Sequence, residues 1–388
     1  MSMRLNRRAT MAGLSLVELM IALVISLVLM LGVVQVFMAS QAASRLSEGA
    51  SRVQENARFA LDFLERDIRM AGHMGCVNDQ AHVVKNQGDP VSHLGASSGD
   101  GSPLDFSVSI QGFDAPGTAP GGRLALGATW SAPSALPAAI TRLSPAPAGG
   151  SDVLVLRYLA PEGVPVTGIS SSGGNALLDM DSTRVARLTS GGVAAPTLFG
   201  IADCAHADIF AGTLSAARVT APSLDLSRYA AQPTGQTMLY RAESMVYYVG
   251  INPETGQPGL RRARANSAGA YAVNEELVEG IESLQLLYGL DSTANISLGT
   301  PPAGNITNLA AATGVSTNAN ASGAAQWLRV GQVQVGLLAR SPTPSSSSTP
   351  ANPLSVLGVG FVSSDRPDGR YRSSYEVSIA LRNRLFGN

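Results

Sequence analysis

Hydrophobic residues fill one continuous stretch near the start of the chain. Residues 14–38 form a run of 25 positions in which Glu18 is the single charge. At a rise of about 1.5 Å per helical residue, this run can cross a hydrocarbon layer of about 30 Å. We therefore expect a membrane-spanning helix, and Arg4, Arg7 and Arg8 ahead of it place its short N-terminal side in the cytoplasm.

A second interpretation of this stretch is an ordinary secretory signal peptide, cut near Ser40-Gln41-Ala42. The apolar core of such a signal is usually about 7–15 residues long. The run in this chain is longer, so its length favours a helix that stays with the mature protein.

Beyond residue 38 the apolar residues become periodic, with the spacing of an α-helix. The stripe consists of Leu46, Val53, Ala57, Leu61, Leu64 and Ile68. The other faces carry Glu48/Arg52, Asp62/Arg66 and Glu65/Arg69, each with the acid four residues before the base. Gly72 is a plausible helix cap. The pattern predicts one helix from near Leu16 to about Met70, with a membrane half (14–38) and an amphipathic half (39–72).

After Gly72, short β-type runs alternate with Gly, Pro, Ser and Asn clusters. The clearest predicted strands are Asp152–Tyr158, Ser244–Gly250, Ile281–Tyr288, Leu328–Leu338 and Ser374–Arg382, with turns at 253–256 and 366–369. Long loops are expected near 133–150, 291–325 and 341–353. The predicted fold class is α+β, with the amphipathic half packed on a mostly antiparallel sheet within a β-rich domain at 73–388.

Composition narrows the function classes. The net charge is −1, and charged residues are 14% and aromatic residues 5% of the chain. Nucleic-acid binding needs a basic surface or a stacking platform, so nucleic acid is not expected as a partner. The 41 glycines and 22 prolines suit a loop-rich, extracytoplasmic β protein.

The chain has two cysteines, Cys76 and Cys204. An extracytoplasmic location is oxidising, so a disulfide is the simplest expectation. Two alternatives remain open: free thiols, or a metal site in which His73 and His206 join the cysteines. The Cys-x-His spacing is unusual for zinc, and no metal or cofactor is predicted.

Sequence motifs for catalysis are weak. Ser97 lies in a G-x-S-x-G pattern at 95–99, but a nucleophile elbow needs a strand before it and a helix after it, and the surroundings are a polar loop. The histidines show no catalytic spacing: His73, His82, His93 and His206. No catalytic residue is predicted.

Two acidic turns resemble fragments of a calcium loop. Asp179 and Asp181 form one, and Asp365, Asp368 and Gly369 form the other. Both lack the rest of the calcium-loop pattern, so ordinary turns are the preferred interpretation.

Basic residues, the segment Gly13–Glu18 and the following apolar helix together resemble the signal of type IV prepilins. Four further segments are similar to the PilW family of minor pilins: Arg52–Cys76, Gly150–Tyr158, Val278–Asp291 and Val377–Arg384. Type IV prepilins usually have phenylalanine after the signal glycine, where this chain has Leu14. The resemblance implies a pilin-like fold and a part in type IV pilus assembly.

The prepilin resemblance implies that a leader, residues 1–13, is cut off between Gly13 and Leu14, and that the new N-terminus of Leu14 is methylated. The Leu14 amine would then lie one helical turn, about 6 Å, from Glu18. Glu18 is expected to pair with this amine, either in its own chain or in a neighbouring subunit. The alternative is that Glu18 is hydrated at the headgroup boundary.

The implied partners are other minor pilins, the major pilin, the prepilin peptidase, the inner-membrane assembly platform and a tip adhesin. The implied location is the inner membrane, crossed once, with the C-terminal domain in the periplasm and later in the pilus. A minor pseudopilin of type II secretion is the alternative. A membrane-tethered enzyme or binding module is a third class, which would require a pocket after Gly72.

Overall fold

A computed structural model of the protein describes residues 15–76, 90–296, 300, 302–345, 354–362 and 368–383. The expected cleavage residues Gly13 and Leu14 lie outside these ranges, as do His82 and Asp365. The described part of the chain is a long helix followed by β-sheets, which confirms the α+β fold class.

Helix α1 extends without interruption over Leu16–Met70, so both predicted ends are confirmed. It ends where the Ala71 N–H bonds to the Ile68 carbonyl and where Gly72 adopts a φ of 77°. The buried positions of its second half are Gly49, Val53, Ala57, Ala60, Leu64, Asp67 and Ile68. The predicted stripe is therefore largely correct, although Leu46 at its start remains 40% exposed.

The ion pairs on α1 differ in one place from the predicted set. Glu48 pairs with Arg52 and Glu65 pairs with Arg69. Arg66, expected to pair with an acid one turn earlier, instead donates from Nε to Asp67 Oδ1 at 3.2 Å. Asp67 is buried where the helix contacts the sheet, so its carboxylate needs hydrogen-bond donors, and Arg66 supplies one of them.

The remaining elements follow α1 along the chain. The strands are β1 Pro90–Ser92, β2 Ile110–Phe113, β3 Arg123–Ala125, β4 Val153–Leu159, β5 Val164–Ser172, β6 Asn175–Met180, β7 Leu198–Ala202, β8 Ala207–Ala211, β9 Thr213–Ser215, β10 Arg218–Pro222, β11 Met238–Ile251, β12 Pro258–Ala265, β13 Tyr271–Glu279, β14 Ile281–Asp291, β15 Ile306–Ala310, β16 Val330–Arg340, β17 Leu354–Val356, β18 Val359–Val362 and β19 Arg372–Ala380. Short helices are α2 Ala138–Thr141, α3 Ala312–Val315 and α4 Ala321–Trp327. All five strands that were predicted from the sequence are present.

Strand β11 organises the larger sheet because its two halves have different neighbours. Residues 238–241 pair with β7 and, in part, with β5, whereas residues 242–251 pair with β4 and β12. Among the described residues, twelve strands belong to this sheet, with the order β1-β8-β7-β11-β5-β6-β10-β9 and side branches β12-β13 and β4-β2.

A second sheet carries the contact with the helix. Its four described strands are antiparallel in the order β15-β14-β16-β19. The amphipathic half of α1 lies against β16 and β19 and shares one hydrophobic core with Leu286, Val335, Leu337 and Ile379. The predicted packing of the helix on an antiparallel sheet is therefore confirmed.

Gly280 alone separates β13 in the larger sheet from β14 in the smaller one. Its φ is 83°, and a Cβ atom at this position would lie 2.7 Å from the Arg340 carbonyl oxygen. Only glycine combines that backbone conformation with such a close approach. The chain therefore changes sheets within one residue.

The stretch expected as a long loop at 291–325 differs from the expectation. It contains β15, α3 and the start of α4, whose N-cap Asn320 accepts a hydrogen bond from the Gly323 N–H. Trp327 at the end of α4 packs edge-on against Tyr288, with ring centroids 5.0 Å apart. Tertiary packing thus orders small and polar residues that carry little local pattern.

Candidate functional site

The first half of α1 contacts no other described part of the chain. Every large apolar side chain from Leu16 to Met38 is between 44% and 74% exposed. The segment is long and apolar enough to cross a membrane. Exposed apolar surface on this scale is costly in water, so this half requires a lipid or protein environment. The long apolar helix fits a single-pass membrane anchor.

Three polar side chains interrupt this apolar surface: Glu18, Ser26 and Gln35. The Ser26 hydroxyl donates to the Ala22 carbonyl at 2.7 Å, which satisfies it within the helix. Glu18 lies in the first turn of α1, where the helix dipole favours a negative charge. Its pairing with an amine at Leu14 stays a prediction, because Leu14 lies outside the described residues.

Asp67 fixes the far end of the helix to the larger sheet. Its side chain is buried, and Oδ2 accepts hydrogen bonds from the Tyr247 hydroxyl and, at 3.0 Å, from Arg262 Nη1. Burial raises the pKa of Tyr247 well above its usual value, and the Asp67 charge adds to this shift, so the phenol stays a donor. Burial alone would lower the pKa of Arg262, but Tyr247, Glu275 and Asp67 together raise it.

A chain of charged side chains continues from Arg262 across the larger sheet. Arg262 Nη2 lies 2.7 Å from Glu275 Oε1, and the same oxygen lies 3.5 Å from Arg264 Nη1. Arg264 Nε in turn lies 3.8 Å from Glu243, which also pairs with Arg241. Except for Glu275, these side chains are almost fully buried. Removing one partner from such a network leaves an uncompensated buried charge.

The helix has further polar contacts on both sides of Asp67. Asn56 Nδ2 donates to the Glu279 carbonyl at 3.0 Å, next to Gly280, where the chain passes from the larger sheet to the smaller one. Asn383 Nδ2 donates to the Arg69 carbonyl at 2.9 Å, which satisfies an otherwise open carbonyl of the last helical turn. These bonds define the height of the helix on the sheets.

Immediately after α1, Cys76 forms a disulfide with Cys204, with the two Cα atoms 4.6 Å apart. Of the three alternatives left open by the sequence, the structure therefore contains the disulfide. His73 Nδ1 donates to the Leu159 carbonyl at 2.8 Å. In the described part of the chain, no group of three or more His, Cys, Asp or Glu side chains is arranged to hold a metal ion.

Hydrogen bonds to two aspartates hold the polar loop that contains Ser97. Gly99 N–H donates to Asp105 Oδ2 at 2.7 Å, and Asp100 accepts from the Ser97 and Ser102 amides. No helix follows Ser97 within residues 98–109. The context that a nucleophile elbow requires is therefore missing around Ser97.

Arg157, in the middle of β4, holds this loop from behind. Its fully buried guanidinium donates to the carbonyls of Ser102, Pro103 and Val108 at 2.7, 3.3 and 2.6 Å. Burial lowers the pKa of Arg157. No local sequence pattern indicates this role, because the partners of Arg157 are backbone carbonyls that the fold brings close.

Arginine side chains occupy the acidic turns that resembled calcium loops. Arg218 holds Asp179 through two hydrogen bonds of 2.6 and 3.1 Å, and Asp181 accepts from the hydroxyl two residues on at 2.7 Å. Arg372 holds Asp368 through bonds of 2.8 and 2.7 Å. These carboxylates act as ion-pair and turn partners.

His93 belongs to a cluster that the sequence did not indicate. Its Nε2 lies 2.6 Å from Oδ1 of the buried Asp208, and Arg228 and Tyr229 bind the other carboxylate oxygen. Because His93 follows β1 and Asp208 belongs to β8, the cluster fastens a three-residue edge strand to the sheet. Its role is therefore structural.

A comparison with known families matches the later part of the chain. The model for PilW, described as type IV pilus-assembly protein W, matches residues 246–383, which include the second half of β11 and the whole four-stranded sheet. No curated protein and no solved structure matches this chain. The match supports the assignment of this chain to the PilW family of type IV pilus-assembly proteins.

Proposed function

We propose that this protein is a minor pilin that helps to start assembly of the type IV pilus, in a priming complex at the pilus tip. The observation that carries the proposal is that the apolar half of α1, Leu16–Met38, is exposed, while the second half of the helix is packed on a β-rich body. The PilW match supports the link to pilus assembly. A helix exposed over Leu16–Met38 needs lipid before assembly and neighbouring helices afterwards.

The proposal includes processing at the N-terminus. The prepilin peptidase cuts between Gly13 and Leu14 and methylates Leu14, while the C-terminal part lies in the periplasm. The arginines before the apolar run support this orientation, because positive charge favours the cytoplasmic side. Processing leaves an amine one turn before Glu18.

Glu18 then pairs with an amine, and pairing with the amine of a neighbouring subunit sets the axial register of the subunits. An unpaired charge at the centre of a bilayer costs about 2.5–3.5 kcal/mol on insertion scales, so a partner for Glu18 is favoured. The other minor pilins and the major pilin supply the neighbouring helices. The inner-membrane assembly platform and a tip adhesin complete the proposed set of partners.

The test is a deletion strain complemented with single variants, examined for surface pili and by mass spectrometry of the mature N-terminus. Wild type should show methylated Leu14 and restore pili. A bulky residue at Gly13 should block cleavage, which a gel shift reports. Glu18→Ala should be cleaved normally but restore few pili. Ser26→Ala is the matched control, because the Ser26 hydroxyl bonds only within its own helix in the described structure.

Two results would contradict the proposal. Normal piliation with Glu18→Ala would exclude the pairing role, while leaving the assembly role intact. A deletion strain that keeps its pili but fails to secrete proteins would assign the chain to type II secretion. The PilW match favours the first system.

A further inference from the structure

A cleft of about 250 Å³ lies just beyond the exposed apolar half of α1 (Leu16–Met38), where the helix begins to contact the β-sheets. One wall is the helix, with Arg45, Glu48, Gly49 and Arg52. The other wall is the segment 342–344, Pro-Thr-Pro, which follows β16. The cleft is therefore at the end of the β-sheet body that is nearest to the apolar half of the helix.

The second wall is held in place by its own hydrogen bonds. The Ser341 hydroxyl donates to the Thr343 carbonyl at 2.7 Å and accepts from the Tyr371 amide at 3.0 Å. Ser345 N–H donates to the Gly369 carbonyl at 2.8 Å. At the base of the cleft, a Cβ atom on Gly49 would lie 2.6 Å from Ser345 Oγ, so glycine allows the two walls to meet. The cleft is a built feature of the fold.

The charge in the cleft is unbalanced. Arg52 Nη2 lies 2.8 Å from Glu48 Oε1, so these two charges offset each other. Arg45 makes no ion pair or side-chain hydrogen bond with any described residue, and it is exposed. The cleft therefore presents one uncompensated guanidinium, beside the exposed hydroxyl of Thr343. A guanidinium with free donors suits a phosphate group.

The height of the cleft along α1 indicates where that phosphate comes from. Arg45 follows Met38, the last residue of the apolar run, by seven helical residues, or about 10 Å. The headgroup region extends about 5–8 Å beyond the hydrocarbon core on each side. A long arginine side chain can turn back toward that region while its stem stays on the helix. Arg45 thus reaches the level of the lipid phosphates.

We propose that this cleft binds the phosphate of an anionic phospholipid headgroup while α1 spans the membrane. This inference rests on the proposed membrane-inserted state of the minor pilin and goes beyond it, because it assigns a lipid contact to Arg45. Headgroup binding holds the β-sheet body against the outer surface of the bilayer. Extraction of the subunit into a filament then breaks this contact.

The experiment uses the full-length, disulfide-bonded protein in vesicles of equal parts phosphatidylglycerol and phosphatidylcholine. Flotation first reports membrane insertion, and native mass spectrometry then counts the lipids that stay bound. One basic residue near an anionic surface is worth about fivefold in binding, so wild type should retain phosphatidylglycerol over phosphatidylcholine by about that factor. Arg45→Gln should remove the preference, and Arg45→Lys should keep part of it.

Arg58→Gln is the matched control, because Arg58 is also exposed on α1 but lies 13 residues further along and on another face. It should keep the wild-type preference. The inference is overturned if Arg45→Gln retains phosphatidylglycerol like wild type, or if wild type shows no preference. Binding of millimolar glycerol phosphate to the cleft together with no retained phosphatidylglycerol would assign the cleft to a soluble phosphate and exclude the lipid. Failure to float would instead refute the membrane anchor itself, and the inference with it.

Discussion

Replacement of Asp67 tests whether a single buried charge attaches α1 to the larger sheet. In Asp67→Ala, the Tyr247 hydroxyl and Arg262 Nη1 both lose their acceptor at a site where all three side chains are buried. Removing one partner of a buried ion pair typically costs about 3–5 kcal/mol. We expect a loss of that size in the free energy of unfolding.

The structure also indicates how the loss can be recovered. Arg262 keeps Glu275 as a partner, and Glu275 is 39% exposed, so water can take over that carboxylate. The triple variant Asp67→Leu, Tyr247→Phe, Arg262→Met removes the whole polar set at once. Apolar replacement of a buried ion pair is often neutral or stabilising, so this variant should regain most of the lost stability.

The assay is urea unfolding of the full-length, oxidised protein in detergent, followed by the fluorescence of the buried Trp327. Asp62→Ala is the matched control, since Asp62 is exposed on the same helix five residues earlier, and its removal should change stability by less than about 0.5 kcal/mol. A loss below about 1 kcal/mol for Asp67→Ala, within the range of an ordinary hydrogen bond, would refute the role of Asp67 as an anchoring charge.

Three further predictions concern the sheets. Burial raises the pKa of Asp152 to about 8, although three hydrogen bonds donated to its carboxyl act in the opposite direction. The folded state therefore keeps a proton on Asp152 that the unfolded chain releases above about pH 4. The free energy of unfolding should therefore fall between pH 4 and pH 8, by an amount on the order of 5 kcal/mol. If the free energy of unfolding of Asp152→Asn depends on pH as that of wild type does, this prediction is wrong. Tyr288→Phe should be neutral or stabilising in urea melts, because the Tyr288 hydroxyl is buried without a partner among the described residues, and a loss above about 1 kcal/mol would contradict this. Tyr288→Phe should restore only part of the stability that Gly112→Ala loses, because the ring Cζ would still lie 2.5 Å from the new Cβ. Replacing Cys76 and Cys204 by serine opens a crosslink between residues 128 apart and should lower stability by up to about 5 kcal/mol in thermal or urea melts, whereas a loss under 1 kcal/mol would contradict the loop-entropy argument.

The helix could be predicted from the sequence because its signals are local. An apolar run, a stripe with helical spacing and Gly72 define α1 within a few residues. The clearest strands were found for the same reason, as in the alternation at β16. Their order in the sheets could not be predicted, because β11 pairs with β7 and β4 through contacts that no short segment contains.

The roles of the buried charges were not predicted from the sequence, for a different physical reason. Asp67 lies three residues after Leu64, within the stripe itself, and a charge on an apolar face is a signal that could have been used. Its partners, Tyr247 and Arg262, are about 180 and 195 residues away, so their identity depends on the fold. Arg157 gave no signal at all, because backbone carbonyls bind it.

The attachments of α1 are distributed unevenly along its length, and this bears on how a membrane-held subunit would be extracted. Near residue 67 the helix is fixed by a buried charge whose loss is costly. Near Gly49 the described segment that the helix approaches most closely is Ser341–Ser345, and Arg45 faces an open cleft. A pull on the bare half therefore reaches the weak contact first and the buried charge last. Between these two points Val53, Ala57, Ala60 and Leu64 are fully buried, so the body stays attached to the helix while the bare half is pulled.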